Sequence, residues 1–417
     1  MLVLLQVMLA CAALALGASA ALAQPLSLDD ALRLGEAQSP RLAAQRHMLG
    51  SASEQVGRAG ELPDPKLRLG IENLPVSGPD RFRYDRDFMT MRQIGWAQEF
   101  PNSAKREARN QRAERRRDVE SAGLEAQRAA LRRDIAMAWG DVHFAERSRG
   151  TLERLARQFQ VQIDAVSAAI ARGRQTAAEG FMLRQAFEQA NDRVIEQDRM
   201  IAKARIALAA LIGEEAKRPL GDPPDMTAFA HPPEELLARL SQMPPLRVFD
   251  EREGLARAEV GLARSEKKAD WMLEVGYGQR RPAFDNMITV MVSIDLPWQA
   301  ERRQDRDVAS RLAELEQARA MREDARRMHE AEVRGWLADL DTAERRIERF
   351  ERVLLPLARD RRSAALAAYQ GGRGELGAVL EAERAVTETD LAFVQALAER
   401  AKAWANLNYL YPQEGTR

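Results

Sequence analysis

The residue types with which this chain could bind a metal ion or activate a nucleophile are few. Four histidines are scattered along it: His47, His143, His231 and His329. None lies four residues from another, the helical spacing at which two imidazoles share a zinc ion. We interpret His143, near Asp141 and Glu146, as part of a solvated helix face. Because a phosphate-binding glycine loop and a nucleophile elbow are also missing, we expect no catalytic residue, no cofactor, no metal ligand and no enzyme.

The single cysteine, Cys11, falls in an uncharged apolar stretch, residues 1–23. This stretch ends in Ala21-Leu22-Ala23, the small-x-small pattern that precedes a signal cleavage point. We therefore predict a secretory signal peptide, with Gln24 as the mature start and a mature chain without disulfide or thiol. The alternatives are a membrane anchor helix and lipidation of Cys11, for which Met8-Leu9-Ala10 is a poor recognition sequence.

Charge and apolar content exclude several classes of protein. Lys plus Arg and Asp plus Glu both number 63, so no basic footprint indicates nucleic acid. With 45% hydrophobic residues the composition is that of a folded chain rather than a disordered one. Past the signal there is no apolar run long enough for a transmembrane helix, so a role in a membrane would use strands or surface contact.

Two parts of the sequence are similar to each other. Residues 39–72 align with residues 243–276 without a gap, so that Pro40 meets Pro244 and Val56-Gly57 meets Val260-Gly261. Internal repetition of this kind indicates a duplicated architecture. We predict a first repeat over 24–212, a linker rich in Pro, Gly and Asp over 213–233, a second repeat over 234–410 and a tail over 411–417.

Long helices make up most of each predicted repeat. Residues from about 102 to 172 and from about 299 to 370 are rich in Ala, Arg, Glu and Leu. At a rise of 1.5 Å per residue each would extend for roughly 100 Å. Their apolar residues recur at mixed spacings of three and four, which predicts coiled-coil packing. Pro356 should kink or loosen the second helix locally.

Short turns end both long helices. Residues 171–176 and 370–375 combine glycine and arginine, and helical periodicity then resumes over about 175–212 and 375–410. Each turn is therefore predicted to be the tip of an antiparallel helical hairpin. The arginine runs at 115–117 and 302–303 are interpreted as solvated helix faces, with contact to lipid headgroups as the alternative.

Four segments alternate with the period of a strand, at about 66–76, 86–100, 271–280 and 286–297. In the last two, one face is apolar: Trp271, Leu273, Val275, Ile288, Val290, Val292 and Ile294. The other face carries Glu274, Thr289 and Ser293. Each segment has about the length that a tilted strand needs to cross a membrane, and Trp or Tyr stands near segment ends.

These strands could also form a small soluble sheet, because half-buried alternating strands usually do. The contrast between an Ile, Val and Leu face and a face with Glu, Asp, Arg and Gly favours a membrane barrel. Four strands cannot close a barrel with a lumen, so that interpretation requires several copies of the chain. Three copies would supply twelve strands and leave no free edge.

Taken together, these features resemble the TolC-like outer membrane factors. The resemblance spans essentially the whole mature chain and is carried by LDDAL (28–32), IGWAQEFPNSAKR (94–106), VSIDLPWQAERR (292–303) and the tips RGRQTAAE and YQGGRGELGAVL. Within that family, LPDPKLRLGIENLP (62–75) followed by WAQEFPNSAKR looks most like the CzcC-type heavy-metal efflux branch.

The resemblance implies a mainly α fold with a small transmembrane β part. Duplicated units of a strand pair and a long helical hairpin would form a trimeric 12-stranded β-barrel in the outer membrane of a Gram-negative bacterium, continuing into an α-helical periplasmic tunnel. The apolar strand face would meet lipid and Glu274, Thr289 and Ser293 would face the pore. It also implies two partners, a periplasmic adaptor and an inner-membrane pump of the resistance-nodulation-division (RND) type.

The function implied is passive conduction of exported substrates, in this branch heavy-metal cations. A duct for drugs or for type I protein secretion is the alternative, followed by a periplasmic coiled-coil adaptor or structural protein. The helical tips would contact the adaptor or gate the pore, through Arg172, Gly173, Thr176, Gly372, Arg373 and Glu375. Selectivity would lie mostly in the pump, so the sequence does not identify the cargo.

Overall fold

The structure, a computed structural model, describes residues 24–171 and 175–411. The predicted signal over 1–23 with Cys11, the tip residues Arg172 and Gly173, and the tail from 412 therefore lie outside the described residues. Within the described ranges, none of the helices combines the length and the apolarity needed to cross a membrane.

The described chain is mostly helical, with one sheet. The helices are α1 Leu28–Gln38, α2 Pro40–Ala59, α3 Ser103–Ala171, α4 Ala177–Ile212, α5 Pro244–Ser265, α6 Gln304–Arg349, α7 Leu355–Gln370 and α8 Leu376–Asn408. The strands are β1 Lys66–Glu72, β2 Met91–Phe100, β3 Trp271–Gln279 and β4 Met287–Ile294. Helix, strand pair, long helix and returning helix thus occur in the same order twice.

The strands are shorter than the predicted segments. β1 ends at Glu72, where Asn73 adopts a positive φ of 56° and turns the chain into the loop before β2. β4 ends at Ile294, and α6 begins only at Gln304, several residues later than the expected start near 299. Pro297 has no N–H to donate to a ladder, and the exposed Trp298 lies in this connecting segment.

The expected disturbance at Pro356 is confirmed. The helical hydrogen bonding widens to a π-helical turn over Phe350–Leu354, and the Leu355 N–H bonds the Phe350 carbonyl. A proline inside a helix lacks an N–H, and its ring collides with the carbonyl four residues earlier. One wide turn immediately before Pro356 relieves that collision without ending the helix.

The chain divides into two compact units. The first comprises the described residues of Met1–Leu42, Gln127–Met243 and Met328–Arg417, and the second comprises Ala43–Ala126 and Pro244–Arg327. Each unit therefore takes segments from both halves of the chain. The division into two repeats describes the order of elements, and the repeat boundaries remain a prediction.

The second unit contains the sheet, whose strand order is β1-β2-β3-β4 with every pair antiparallel. The central pair, β2 and β3, joins a strand from each half of the chain in a register that runs from Arg92 opposite Gln279 to Phe100 opposite Trp271. The rings of Phe100 and Trp271 stack with centroids 4.2 Å apart. The single sheet is therefore built from both halves.

In the first unit, the segment predicted as a linker is packed rather than loose. Leu26 donates its N–H to the Pro219 carbonyl at 2.8 Å. Short 3-10 turns lie within or next to the segment, at Gly213–Lys217, Pro233–Glu235 and Leu240–Gln242. Trp404 Nε1 donates to the Ala228 carbonyl at 2.7 Å. The C-terminal end of α8 thereby covers this segment and satisfies part of its backbone.

Candidate functional site

The strand register places the residues predicted to face lipid on one side of the sheet. Residues that are directly opposite in an antiparallel pair share a face. Trp271 lies opposite Ile294, Leu273 opposite Val292 and Val275 opposite Val290. Ile288 belongs to the same face through its partner Tyr277. All seven apolar residues singled out in β3 and β4 therefore lie on the same surface.

The other two strands extend that surface. Trp96 of β2 lies opposite both Val275 and Leu67, and Ile94 lies opposite Leu69 of β1. These side chains are exposed in the chain, with Leu69 71% and Ile288 74% accessible. We name the apolar surface formed by both hairpins the outer face. Contiguous exposed apolar area of this kind marks contact with lipid or with another chain.

The opposite surface, the inner face, combines polar residues and glycine with the methionines Met272, Met287 and Met291. Glu274, Thr289 and Ser293 all lie on it. Arg68 Nη1 approaches Glu274 Oε2 at 2.6 Å from the neighbouring hairpin. A Cβ on Gly276 would come within 2.9 Å of the Gln93 amide, so glycine leaves room for that side chain. One face is thus suited to an apolar medium and the other to water.

The two edges of this sheet are formed by β1 and β4. Within the described chain neither strand has a neighbour on its outer side, so each exposes a row of backbone N–H and C=O groups. β4 lacks the charged residues that usually protect an edge from pairing, since its sequence is MITVMVSI. The sheet is therefore chemically incomplete at both edges.

A partly buried ionic cluster lies where the sheet meets the helices of the second unit. Lys105 Nζ, with its side chain only 7% exposed, contacts Glu266 at 2.8 Å and Asp270 at 2.6 Å. Asp270, immediately before β3, also accepts the Asn102 N–H at 2.8 Å, and Asn102 Oδ1 caps α3 by accepting the Ala104 N–H. Strand ends and helix starts are therefore tied together.

The pKa values of this cluster follow from its contacts. Burial alone would lower the pKa of Lys105, but the hydrogen bonds to Asp270 and Glu266 outweigh it and the pKa is raised. Burial likewise opposes the ionised form of Asp270, yet the Lys105 and Asn102 donors hold its pKa below the ordinary value. Both groups are therefore charged at neutral pH.

Four of the predicted tip residues are described by the structure. The Thr176 hydroxyl accepts the Glu179 N–H at 3.3 Å, and the Glu179 carboxylate accepts the Thr176 N–H at 2.9 Å, so this pair forms a capping box. Gly372 has a φ of +68°, the left-handed conformation that ends α7. Arg373 follows it, and Glu375 precedes α8 without a side-chain cap.

The structure adds a contact between the two tips that the sequence did not indicate. The Gln175 amide donates to the Tyr369 hydroxyl, so the turn after α3 is joined to the end of α7. Burial raises the pKa of Tyr369, which keeps the hydroxyl protonated. Ile170 and Tyr369 both pack against one apolar cluster of the first unit. Its buried members are Leu155, Ala156, Phe159, Val166, Leu183, Ala186, Ala190, Leu376 and Leu380.

A buried acid lies next along α8. The Glu383 side chain is only 3% exposed, accepts the Gln158 amide at 2.5 Å and lies 3.9 Å from Arg362. Burial raises the pKa of Glu383, although Arg362 and Gln158 act in the opposite direction. A signal for this site was present in the sequence, because Glu383 continues the apolar spacing of Leu376 and Leu380.

The interpretation of His143 as a solvated residue is wrong. Its ring stacks on Trp139 with centroids 5.4 Å apart, and the Phe144 ring meets it edge-on. Burial lowers the pKa of His143, so it is neutral at pH 7. The prediction relied on the acidic residues near His143 in the sequence and did not consider Trp139, one helical turn earlier. In the part of the chain that the structure describes, three or more His, Cys, Asp or Glu side chains nowhere gather into a potential metal site.

Comparisons with known proteins agree with this geometry. Residues 32–214 match the sequence model of the family described as Outer membrane efflux protein. The cobalt-zinc-cadmium resistance protein CzcC of Cupriavidus metallidurans is 25% identical over 393 residues, which cover 91% of this chain and 88% of that protein.

Two solved structures share the fold. CusC, whose structures concern folding and transmembrane channel formation, is 15% identical with a TM-score of 0.77, over 92% of both chains. The outer membrane protein VceC of Vibrio cholerae is 19% identical with a TM-score of 0.76, over 92% of this chain and 95% of that one. The resemblance predicted from the sequence is confirmed: residues 32–214 match the Outer membrane efflux protein family, the chain shares its fold with CusC and VceC, and CzcC is among the proteins that it resembles.

Proposed function

We propose that this chain is the outer membrane channel subunit of a tripartite efflux system. Three copies would join their sheets edge to edge, β4 of one beside β1 of the next, into a closed barrel of twelve strands. The observation that carries the proposal is the two-faced sheet with its two open edges. Closure would satisfy both edges, place the outer face in lipid and leave the inner face around a water-filled pore.

The helices would continue the pore through the periplasm. Coiled-coil hairpins packed through their apolar seams can form the wall of such a tunnel, with charged side chains facing the water-filled interior. The duct itself would be passive, because driving force and most of the selectivity would reside in an inner-membrane pump of the RND type, reached through a periplasmic adaptor. A passive duct needs weak interactions with its cargo rather than tight ligands.

Fractionation and conductance test the channel. The mature chain should sediment with the outer membrane, run as a heat-sensitive oligomer of three subunits on electrophoresis, and produce discrete conductance steps in a planar bilayer. A monomer recovered in the soluble periplasmic fraction, without conductance after reconstitution, would overturn the proposal. The same fractionation distinguishes the duct from a periplasmic adaptor or a structural coiled-coil protein.

For the cargo we propose heavy-metal cations, because the relative named above is a cobalt-zinc-cadmium resistance protein. Deletion of the gene should lower the tolerated concentration of divalent zinc, cobalt or cadmium and leave tolerance to organic drugs unchanged. If the deletion strain loses tolerance to drugs but keeps its metal tolerance, the duct serves a drug pump. If the strain no longer secretes a particular protein, the duct serves type I secretion.

At the tips, we propose that Thr176, Gly372, Arg373 and Glu375 contact the adaptor or close the pore, together with Arg172 and Gly173 of the same turn. Gly372 is a poor crosslinking position because its left-handed φ strains any side chain. Cysteine at Arg373 or Glu375 should crosslink to the adaptor in an assembled pump, whereas cysteine at the exposed Glu214 should not. Equal crosslinking from Glu214, or none from the tips, would contradict this assignment.

A further inference from the structure

Two loops lie at the end of the sheet where neither hairpin connects to a helix. The β1–β2 loop covers residues 73–90 and the β3–β4 loop covers residues 280–286. Because both pairs are antiparallel hairpins, both loops lie at the same end, opposite the starts of α3 and α6. We name the basic and aromatic residues of this end the loop surface. They are Arg81, Arg83, Arg86, Arg92, Arg280 and Arg281, with Phe82, Tyr84, Phe88 and Phe284.

Four of the six arginines of the loop surface, Arg81, Arg92, Arg280 and Arg281, lie over aromatic rings. The guanidinium carbons of Arg280 and Arg281 are 4.8 and 4.6 Å from the centroid of Phe284, and that of Arg92 is 5.5 Å from Tyr84. The planar guanidinium keeps its edge N–H groups available for anions when its face is covered by a ring. This arrangement therefore orients cations without neutralising them.

Asp80, Asp85, Asp87 and Asp285 lie in the same two loops as these cations. No ion pair within 24–171 and 175–411 involves any of the six arginines. Asp87 is occupied by the backbone N–H groups of Met89 and Thr90, at 2.7 and 3.2 Å. Arg280 donates to the Phe88 carbonyl, while Arg281 Nε is buried and has no acceptor among the described residues. The loop surface thus holds donors that lack an anionic partner in the described chain.

The loop surface also begins where the outer face ends. The row Leu69, Ile94 and Tyr277 is apolar, and the next row along the strands is mixed, with Arg92 between Ile71 and Gln279. Exposed aromatic rings interleaved with arginine at the end of an apolar band are typical of the boundary between hydrocarbon and headgroups. Phe82 is 59% exposed in this zone. A ligand that contacts both the arginines and the neighbouring apolar face must carry its negative charge immediately beside acyl chains.

We propose that the loop surface binds the phosphate groups of an anionic glycolipid of the lipid A type in the outer leaflet. The inference rests on the proposed function, because that function turns the loops toward the cell exterior. Arginine forms bidentate hydrogen bonds with phosphate, and the rings provide contact area for the sugar and the upper acyl chains. A free phosphate ion would use the arginines but would gain nothing from the exposed rings.

Titration of purified full-length oligomer in detergent with fluorescent diphosphorylated lipid A tests this proposal. Arg280→Gln/Arg281→Gln and Arg83→Gln/Arg86→Gln should each weaken binding about tenfold, the size expected for lost charge-assisted contacts. The second pair guards against a folding defect, since Arg83 and Arg86 are exposed and make no side-chain hydrogen bond to the described part of the chain. Arg326→Gln/Arg327→Gln removes the same charge from an exposed part of α6 and should leave the affinity unchanged.

Dephosphorylated lipid A should bind at least tenfold more weakly, and inorganic phosphate at millimolar concentration should not compete. Competition by inorganic phosphate, equal losses in all three double variants, or no loss in any of them would overturn the inference. So would loss of the oligomer in the loop variants, which would assign the arginines to a protein interface. If the chain conducts in bilayers but does not bind lipid A, only this inference is wrong and the proposed function stands. If the chain is a soluble monomer, the proposed function itself is wrong.

Discussion

The apolar residues of the sheet and those of the helical hairpins follow equally regular patterns, yet they meet opposite surroundings. In the hairpins of the first unit, Phe159 and Leu183 are fully buried, at 0% exposure. In the sheet, Ile288 and Leu69 leave more than two thirds of their surface open. The hairpins bury a core within one chain, although Phe181 and Ile206 stay exposed. The outer face of the sheet has no such cover within the described chain, and under the proposed function lipid and further strands would supply it.

Polar groups are distributed in the converse way. The inner face of the sheet carries Glu274, whose side chain is 16% exposed, in contact with Arg68, whose side chain is 55% exposed. The hairpins instead bury Glu383 beside Gln158. A periodic pattern therefore tells which residues share a face, but the medium that this face meets depends on what packs against it. Four pairs of substitutions can break or sharpen this contrast.

The largest effect is expected in the hairpin core. Phe159→Ala should lower the free energy of unfolding by about 3–5 kcal/mol, because it leaves a cavity in a packed cluster. Val161, two residues along α3, is 68% exposed, so Val161→Ala should stay within about 0.5 kcal/mol. Denaturant unfolding followed by helical circular dichroism measures both. Similar values for the two variants would contradict a buried hairpin core.

The sheet should respond to charge on one face only. Val290→Arg places a cation on the outer face and should cost about 2–4 kcal/mol near the middle of a bilayer. Thr289→Arg, on the inner face of the same strand, should insert and assemble while changing the conductance. Folding into lipid vesicles followed by heat-sensitive electrophoresis compares the two. If Thr289→Arg fails to insert while Val290→Arg inserts normally, the assignment of the two faces is reversed.

Breaking the ionic cluster of Lys105, Glu266 and Asp270 should have an intermediate effect on stability. Lys105→Met leaves Asp270 without its cation and should destabilise the second unit by about 1–3 kcal/mol. Lys267 pairs with Asp305 in an exposed position, and Lys267→Met should cost no more than about 1 kcal/mol. Thermal unfolding of each variant at pH 7 provides the test. Equal midpoints for both lysine variants would show that burial does not distinguish the two pairs.

The smallest effect concerns the buried acid of the hairpins. Because burial raises the pKa of Glu383, the folded state retains its proton over a pH range in which the unfolded chain has lost it. Its contribution to stability therefore falls as the pH rises from the ordinary glutamate range through the raised pKa. Glu383→Gln should remove this pH dependence and lose no stability at pH 8.

Glu381, two residues away, is exposed and paired with Arg361, so Glu381→Gln is the matched control and should keep the pH profile of the parent. Thermal midpoints between pH 4 and pH 8 compare the three proteins. An unchanged pH profile in Glu383→Gln would assign the dependence to other groups.

Several features were predictable because they depend on neighbours in the chain. Alternation in 271–280 and 286–297 predicted two faces, and the register then placed Val275 opposite Val290 as required. The long helices ended close to the predicted turns, and Pro356 disturbed its helix for a reason that is local to the backbone. One error had a local origin, because His143 was judged by its acidic neighbours in the sequence. The predicted linker over 213–233 has long-range partners such as Trp404, which its composition does not reveal.

The amino-acid sequence by itself determined the elements, the apolar side of each strand and the family resemblance, since all three depend on residue type and spacing. Only the tertiary structure decided that β2 pairs with β3, that Lys105 bridges to Asp270 and that Gln175 meets Tyr369. These contacts join residues about 165 to 194 positions apart. Their partners are selected by the packing of whole helices and strands, and no local pattern in the sequence records that choice.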